Sequence, residues 1–455
     1  MLTIIRQRRA LKQRLIFLLL VIALSAVVWV VTRRHTVPTP ALPVTETHFA
    51  GRLPRVGART EQLIDNLQAH LRVVPTDGQA YGQLGLAHLQ RVRETGDPDH
   101  YQKAEGVLKK ALALQPDDYA ATSALGALAL ARHQFTAALE WGERAQRINP
   151  SRTYAYGVIA DAQIELGKYD EAAATLQTMV DLRPDLSAYA RISYLRELYG
   201  DTEGALDMMQ RAVNSGSPNA ENTAWLRTQL GNLYFNSGDL SQAASEYQRA
   251  LEGLPGYVYA LAGLGRVCFA QGRTEEAIKL LAQAAQAIPL PEFVITLGDL
   301  YQVTGNLEAA RQQYDLVHVI QRLYESNGVD LDLEMALFAA DHDRDLQTTV
   351  QQARAAYARR PSISAADVLA WALYKTGHYH EAQSYAEQAL RLGTRDALKF
   401  FHAGMIAWRL GDTAKAKHYL EQALTLNPHF SILFADEAHH TLNELTAVIR
   451  QSASP

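Results

Sequence analysis

Small residues recur twelve positions apart, in phase, along most of this chain. The pairs are Gly126/Ala138, Ala160/Ala172, Ser193/Ala205, Gly231/Ala243, Gly265/Ala277, Gly298/Ala310, Ala370/Ala382 and Gly404/Ala416. Prolines punctuate the same stretch, with Pro75, Pro116, Pro150, Pro184, Pro255, Pro361 and Pro428 falling near multiples of a 34-residue period. Residues 117–150 (DDYAATSALGALALARHQFTAALEWGERAQRINP) show what one period encodes. Leu125, Leu128 and Ala129 keep helical spacing, as do Phe135, Ala138, Leu139 and Ala145 beyond a turn at His133-Gln134. Pro150 stops the second helix, because a helix rarely runs through proline. Gly126 and Ala138 are small where the two helices cross, so the backbones can approach closely. A pair of this kind cannot bury its apolar faces alone, so the period demands a stacked array.

The array occupies only part of the 455 residues. The first 34 hold seven Lys/Arg and no acid, which leaves a body of net charge −11 in a chain of net −4. An acidic body gives no electrostatic support for nucleic-acid binding. Arg6, Arg8, Arg9, Lys12 and Arg14 precede an uninterrupted apolar run from Leu15 to Val31, and Arg33-Arg34 follow it. This reads as a basic cytoplasmic tail (1–14) and a transmembrane signal anchor (15–32), with Trp29 at the interface. A cleaved signal peptide ending near Ala23-Leu24-Ser25 is the alternative, but it would strand Val27–Val31 on the mature chain. The excess of basic residues before the span places the N-terminus in the cytoplasm and the body outside the cell membrane. Residues 33–58, with Pro38, Pro40, Pro43 and Pro54, read as a semi-stiff linker.

A 34-residue helix–turn–helix period with these features resembles the tetratricopeptide repeat family. One copy supplies Leu230-Gly231, Tyr234, Ala243, Tyr247, Ala250 and Pro255; another supplies Leu264-Gly265, Ala277, Leu281 and Ala284. The resemblance implies an all-α superhelical solenoid over 59–428, of about ten repeats preceded by a second-helix half repeat, Thr60–Pro75. Residues 429–455 then supply a capping helix near Ala435–Ile449 and a tail. Three departures stand out. Leu84-Gly85 and Ala104 are too far apart, so extra residues around RVRETGDPDH lengthen the inner turn of the first copy. Beyond Ala310 the second helix overruns through DLVHVIQRLYESNG, and Thr349 replaces the usual alanine of the next copy. The irregular stretch near 316–345 is a candidate bend between two stacks.

In this family the first helix of each repeat lines the concave side. Carried over by position, the inward residues include Tyr154, Asp161, Glu165, Arg191, Tyr194 and Glu197, then Trp225, Gln229, Asn232 and Phe235. Tyr259, Arg266 and Phe269 follow, and nearer the C-terminus Trp371, Tyr374, Phe401, His402, Met405 and Trp408. Aromatic, arginine and asparagine side chains on one face suit an extended peptide: rings give contact area, and the polar groups meet carbonyls and carboxylates. Packing between repeats is the competing explanation for any single ring. The Lys and Asn set with which some members grip a C-terminal carboxylate is incomplete here, since Asn232 and Arg266 lack matching lysines. Within 117–150 the inward positions Ala120, Ser123, Ala124, Ala127, Leu130 and Ala131 carry no recognition chemistry, which assigns binding to the neighbouring copies.

Catalytic and metal motifs fail on inspection. The seven histidines beyond residue 377 lack H-E-x-x-H spacing and read as solvated turn and helix-surface groups. Asp341–Asp345 begins like a calcium loop, but Leu346 and Gln352 stand where Gly and Glu are required. Gly263-Leu264-Gly265 lies inside a repeat helix, and Cys268 falls on a core face. The expectation is a non-enzymatic, membrane-tethered scaffold without cofactor or metal, binding protein or extended peptide through its concave surface. The alternative is an accessory subunit of an envelope or polysaccharide assembly system that binds glycan or lipid-linked substrate there.

Overall fold

The computed structural model describes residues 58–218 and 220–452, and every regular element among them is a helix. The expected basic tail, membrane span and nearly all of the linker lie outside the described residues. Among the described residues no helix is long and apolar enough to cross a membrane.

A single helix, α1 (Ala58–Val73), opens the array. Ten pairs follow, beginning with α2 (Gly78–Thr95) and α3 (Asp99–Leu114), α4 (Tyr119–Ala131) and α5 (Phe135–Ile148), α6 (Thr153–Glu165) and α7 (Tyr169–Leu182). Next are α8 (Leu186–Leu198) and α9 (Thr202–Asn214), α10 (Glu221–Asn236) and α11 (Leu240–Gly253), α12 (Val258–Ala270) and α13 (Thr274–Ala287). The last four are α14 (Pro291–Val303) and α15 (Leu307–Ser326), α16 (Asp332–Asp341) and α17 (Leu346–Arg359), α18 (Ile363–Lys375) and α19 (Tyr379–Ala389), α20 (Ala397–Arg409) and α21 (Thr413–Leu426). The helix α22 (Ala435–Ser452) closes the array.

The twelve-residue pairs sit where α-helices cross. Ala138, Ala172, Ala205, Ala243 and Ala277 have no solvent exposure. Ser193, the polar member of the set, donates its hydroxyl proton to the carbonyl of Ala205, 2.6 Å away across the crossing. A Cβ on Gly231 would lie 2.6 Å from the Tyr247 ring, and one on Gly263 would lie closer still to the same ring. Tyr247 is therefore clamped between two repeats by glycines on α10 and α12.

The irregular copies have specific causes. The extra residues of the first copy extend α2 to 18 residues instead of lengthening the turn. Gly96 ends that helix at φ 68, its N–H returning to Val92. Thr349 is buried, and its hydroxyl donates back to Asp345 and Arg344 of its own turn, so it costs no orphaned donor. The 20-residue α15 carries the overrun, and the described residues form one compact unit through it.

In most repeats the first helix touches the first helix of the next repeat, while second helices make no comparable contact with one another. The first helices therefore lie inside the curve, and they enclose a lumen. The coil is tight enough that successive turns touch. Thr394 donates to the carbonyl of Leu198, 196 positions earlier, and the Asn427 amide donates to that of Phe235, 192 positions earlier. Ile363 donates its N–H to the Tyr169 hydroxyl, and Asp330 donates its N–H to the carbonyl of Arg132. One superhelical turn thus takes between about five and six repeats of 34 residues. The inner turns of early repeats form a seam against the closing loops of late ones.

Candidate functional site in the lumen of the superhelix

Two tyrosines stand out on the inner face. Tyr154, in the first turn of α6, is 48% exposed, and Tyr194, in the middle of α8, is 40% exposed. Between them Arg191 grips Asp161 with two bonds of 2.8 Å, a bidentate arrangement that fixes both side chains. Burial pushes the carboxyls of Glu165 and Glu197 above their ordinary range, and it pushes the Tyr194 hydroxyl well up.

Further along, the expected inward residues are tied more closely to the fold. Trp225 and Tyr259 are half-buried; Tyr259 meets Phe293 edge-on at 5.6 Å. Asn232 accepts the Tyr247 hydroxyl at 2.7 Å and Gln229 lies beside it, so this amide holds the clamped ring. Phe235 is buried, with the Arg266 guanidinium 4.1 Å above its ring. It is a core residue and not an open contact.

The C-terminal aromatic strip is corrected outright. Trp371 is 1% exposed, Phe401 is wholly buried and Tyr374 nearly so, while Trp408 is half-buried against the same core. The cause is the stretch before α22. Phe434 packs on Trp371 and Phe401 with ring centroids at 5.5 and 5.3 Å, and Phe430 covers Phe401 at 5.5 Å. His402, expected on the surface, is wholly buried; it stacks on Trp371 at 4.2 Å, its Nδ1 3.0 Å from Asp367. The other face of Trp371 lies against Tyr374 at 4.7 Å, and its Nε1 donates to Asp341 at 2.9 Å.

Burial raises the Asp341 carboxyl from 3.8 to about 6. A carboxyl held above its unfolded value favours the protonated folded state, so its ionisation costs stability as pH rises through the window from 3.8 to about 6. Asp341→Asn retains an acceptor for Trp371 and removes that cost. The variant is expected to match the parent in urea denaturation at pH 4 and to exceed it by about 2 kcal/mol at pH 7.5. Equal stability at both pH values would contradict the assignment.

A cavity of about 410 Å³ opens onto the lumen at the seam. The first turn of the superhelix contributes Leu130, His133 and Phe135 from the α4–α5 repeat, Asp161 and Glu165 from α6, and Tyr194 from α8. The second turn contributes Leu333, Glu334, Arg360 and Ser364. The 117–150 repeat thus helps form the cavity despite its plain inner face, through its turn and the start of its second helix. Arg360 and Ser364 carried no signal in the sequence, because their partners lie about six repeats away. Among the described residues no group of three His, Cys, Asp or Glu side chains is placed to hold a metal ion.

These features define an α-solenoid that carries tetratricopeptide repeats. Family models described as tetratricopeptide repeat match residues 158–221, 228–290, 362–403 and 400–430. A model described as anaphase-promoting complex, cyclosome, subunit 3 matches residues 97–179. Cellulose synthase operon protein C of Komagataeibacter sucrofermentans is 23% identical over 304 residues, covering 66% of this chain and 22% of the relative. The chain thus spans about a fifth of that relative's length. TPR repeat-containing protein YpiA of Bacillus subtilis is 22% identical over 67% of this chain and 63% of its own. Among solved structures, the Cut9–Hcn1 hetero-tetramer of the anaphase-promoting complex covers 86% of this chain and 94% of its own at 13% identity, with a TM-score of 0.37.

Proposed function

We propose that this protein is a non-enzymatic scaffold that holds a protein or extended-peptide partner in its lumen. The carrying observation is the pair of exposed tyrosines flanking the locked Arg191–Asp161 pair on α6 and α8. Tyrosine rings give contact area at low entropic cost. Trp225, Gln229, Tyr259 and Arg266 extend the surface along the lumen. Residues 15–32 anchor the scaffold in the cell membrane with the repeats outside; an alkaline phosphatase fusion at the C-terminus, active only outside, tests that topology. Binding is tested with a photoactivatable residue in place of Tyr154 in the full chain. It is expected to crosslink a protein partner that the same probe at Glu143, on the exposed face of α5, does not reach. Equal crosslinking at both positions would sink the lumen assignment.

The second reading is a subunit of a polysaccharide or envelope assembly system that binds glycan. It is favoured by the polar seam cavity and accords with the name of the Komagataeibacter relative.

A further inference from the structure

We propose that the seam cavity binds a neutral, polyhydroxylated ligand: one pyranose unit of an oligosaccharide. The inference deepens the glycan reading and rests on it. The cavity lies within the range of about 300 to 1,000 Å³ usual for small-ligand sites, yet about half of its wall is polar where such sites are predominantly apolar.

Its charges are internally balanced. Arg191 holds Asp161 from outside the cavity. Glu334 sits 3.5 Å from the His133 ring and 3.9 Å from the Arg360 guanidinium. Burial shifts Glu165 toward its neutral form, with Arg360 and His133 offsetting part of the effect. A wall without an unopposed full charge favours a neutral ligand over an ion.

Its hydrogen-bonding capacity is unspent. Arg360 is 5% exposed, its guanidinium lies 5.3 Å over the Phe135 ring, and its Nη2 is buried without a hydrogen-bond partner. A buried donor left in this state is costly, and a ligand acceptor removes the cost. Among the described residues, the Glu165 carboxyl and the hydroxyls of Tyr194 and Ser364 also make no hydrogen bond. Arg360 can only donate, Glu165 accepts and, when protonated, also donates, and the hydroxyls do both. A sugar hydroxyl likewise donates and accepts, so adjacent hydroxyls on one ring can serve Arg360 and Glu165 together. The exposed face of Tyr194 is available to the apolar face of that ring, where C–H groups stack on an aromatic surface.

The test is titration calorimetry of the full chain, in a detergent without a sugar headgroup, against cellotetraose, laminaritetraose and maltotetraose. At least one is expected to bind with an affinity unchanged between 0.1 and 0.5 M NaCl. Tyr194→Ala and Ser364→Ala are each expected to weaken that binding at least ten-fold with the thermal melt preserved; both leave the Arg360–Phe135 contact intact. Binding that survives both variants would overturn the cavity assignment while leaving the glycan reading standing. No binding of any of the three sugars would overturn both. Binding that weakens ten-fold in high salt would show that unopposed charge in the wall governs recognition and overturn the proposed chemistry.

Discussion

Gly200→Ala is expected to destabilise the protein by about 2 to 3 kcal/mol, whereas Gly272→Ala costs only about 1 kcal/mol. Both glycines close the inner turn of a repeat with nearly the same backbone, φ +74 and φ +76. The penalty for placing a side chain in the left-handed region is therefore common to both. The surroundings differ. A Cβ on Gly272 meets nothing within 4 Å, while one on Gly200 would overlap the carbonyl oxygen of Gly393 in the next turn of the superhelix. Backbone cannot yield as a side-chain tip does, so the two turns must separate. Separation strips Leu198 of its bond from Thr394 and leaves buried polar groups without partners. Urea denaturation measures the difference, and hydrogen exchange should quicken at residues 392–396 in the Gly200 variant alone. Equal losses in the two variants would show that the seam contributes nothing.

The reason this seam was illegible in the sequence lies in how a solenoid is specified. Each repeat encodes its own crossing, and the signal is local: Gly126 opposite Ala138, or Ser193 opposite Ala205, twelve residues apart on adjacent helices. Pitch is different. It accumulates from a small rotation at every interface, so whether turns touch depends on the sum of many angles that no motif states. Leu198 and Thr394 give no sign of being partners at a separation of 196. The inner-face assignment divided for the same reason. Tyr154 and Tyr194 remain open because no later ring stacks on them. Trp371 and Phe401 occupy comparable family positions but are covered by Phe430 and Phe434, which lie beyond the last repeat. Asn232 looked like recognition chemistry, and only the position of Tyr247 shows that its acceptor is used inside the fold.

Trp371→Ala is expected to cost about 4 kcal/mol, within the range for emptying a fully buried aromatic site. The indole is 1% exposed and sits between His402 and Tyr374, with Phe434 packed edge-on against it. Truncation leaves a cavity on the inner side of α18, and Asp341 loses the donor that serves its buried carboxyl. Trp371→Phe restores part of the volume but not the N–H, so it is expected to fall between parent and alanine variant. Trp225→Ala, at a half-buried site on α10, is expected to cost less than half as much. How the loss spreads is the more informative measurement. In an open solenoid each repeat contacts only its neighbours, so damage at α18 would melt the last repeats and spare the first. Here Ile363, at the start of that helix, is bonded to Tyr169, and Asn427 is bonded to Phe235. Loosening α18 should therefore quicken hydrogen exchange in α7 and α10 as well, far away in sequence but adjacent across the seam. Exchange confined to residues beyond 330 would mean that the turns are stacked without being coupled.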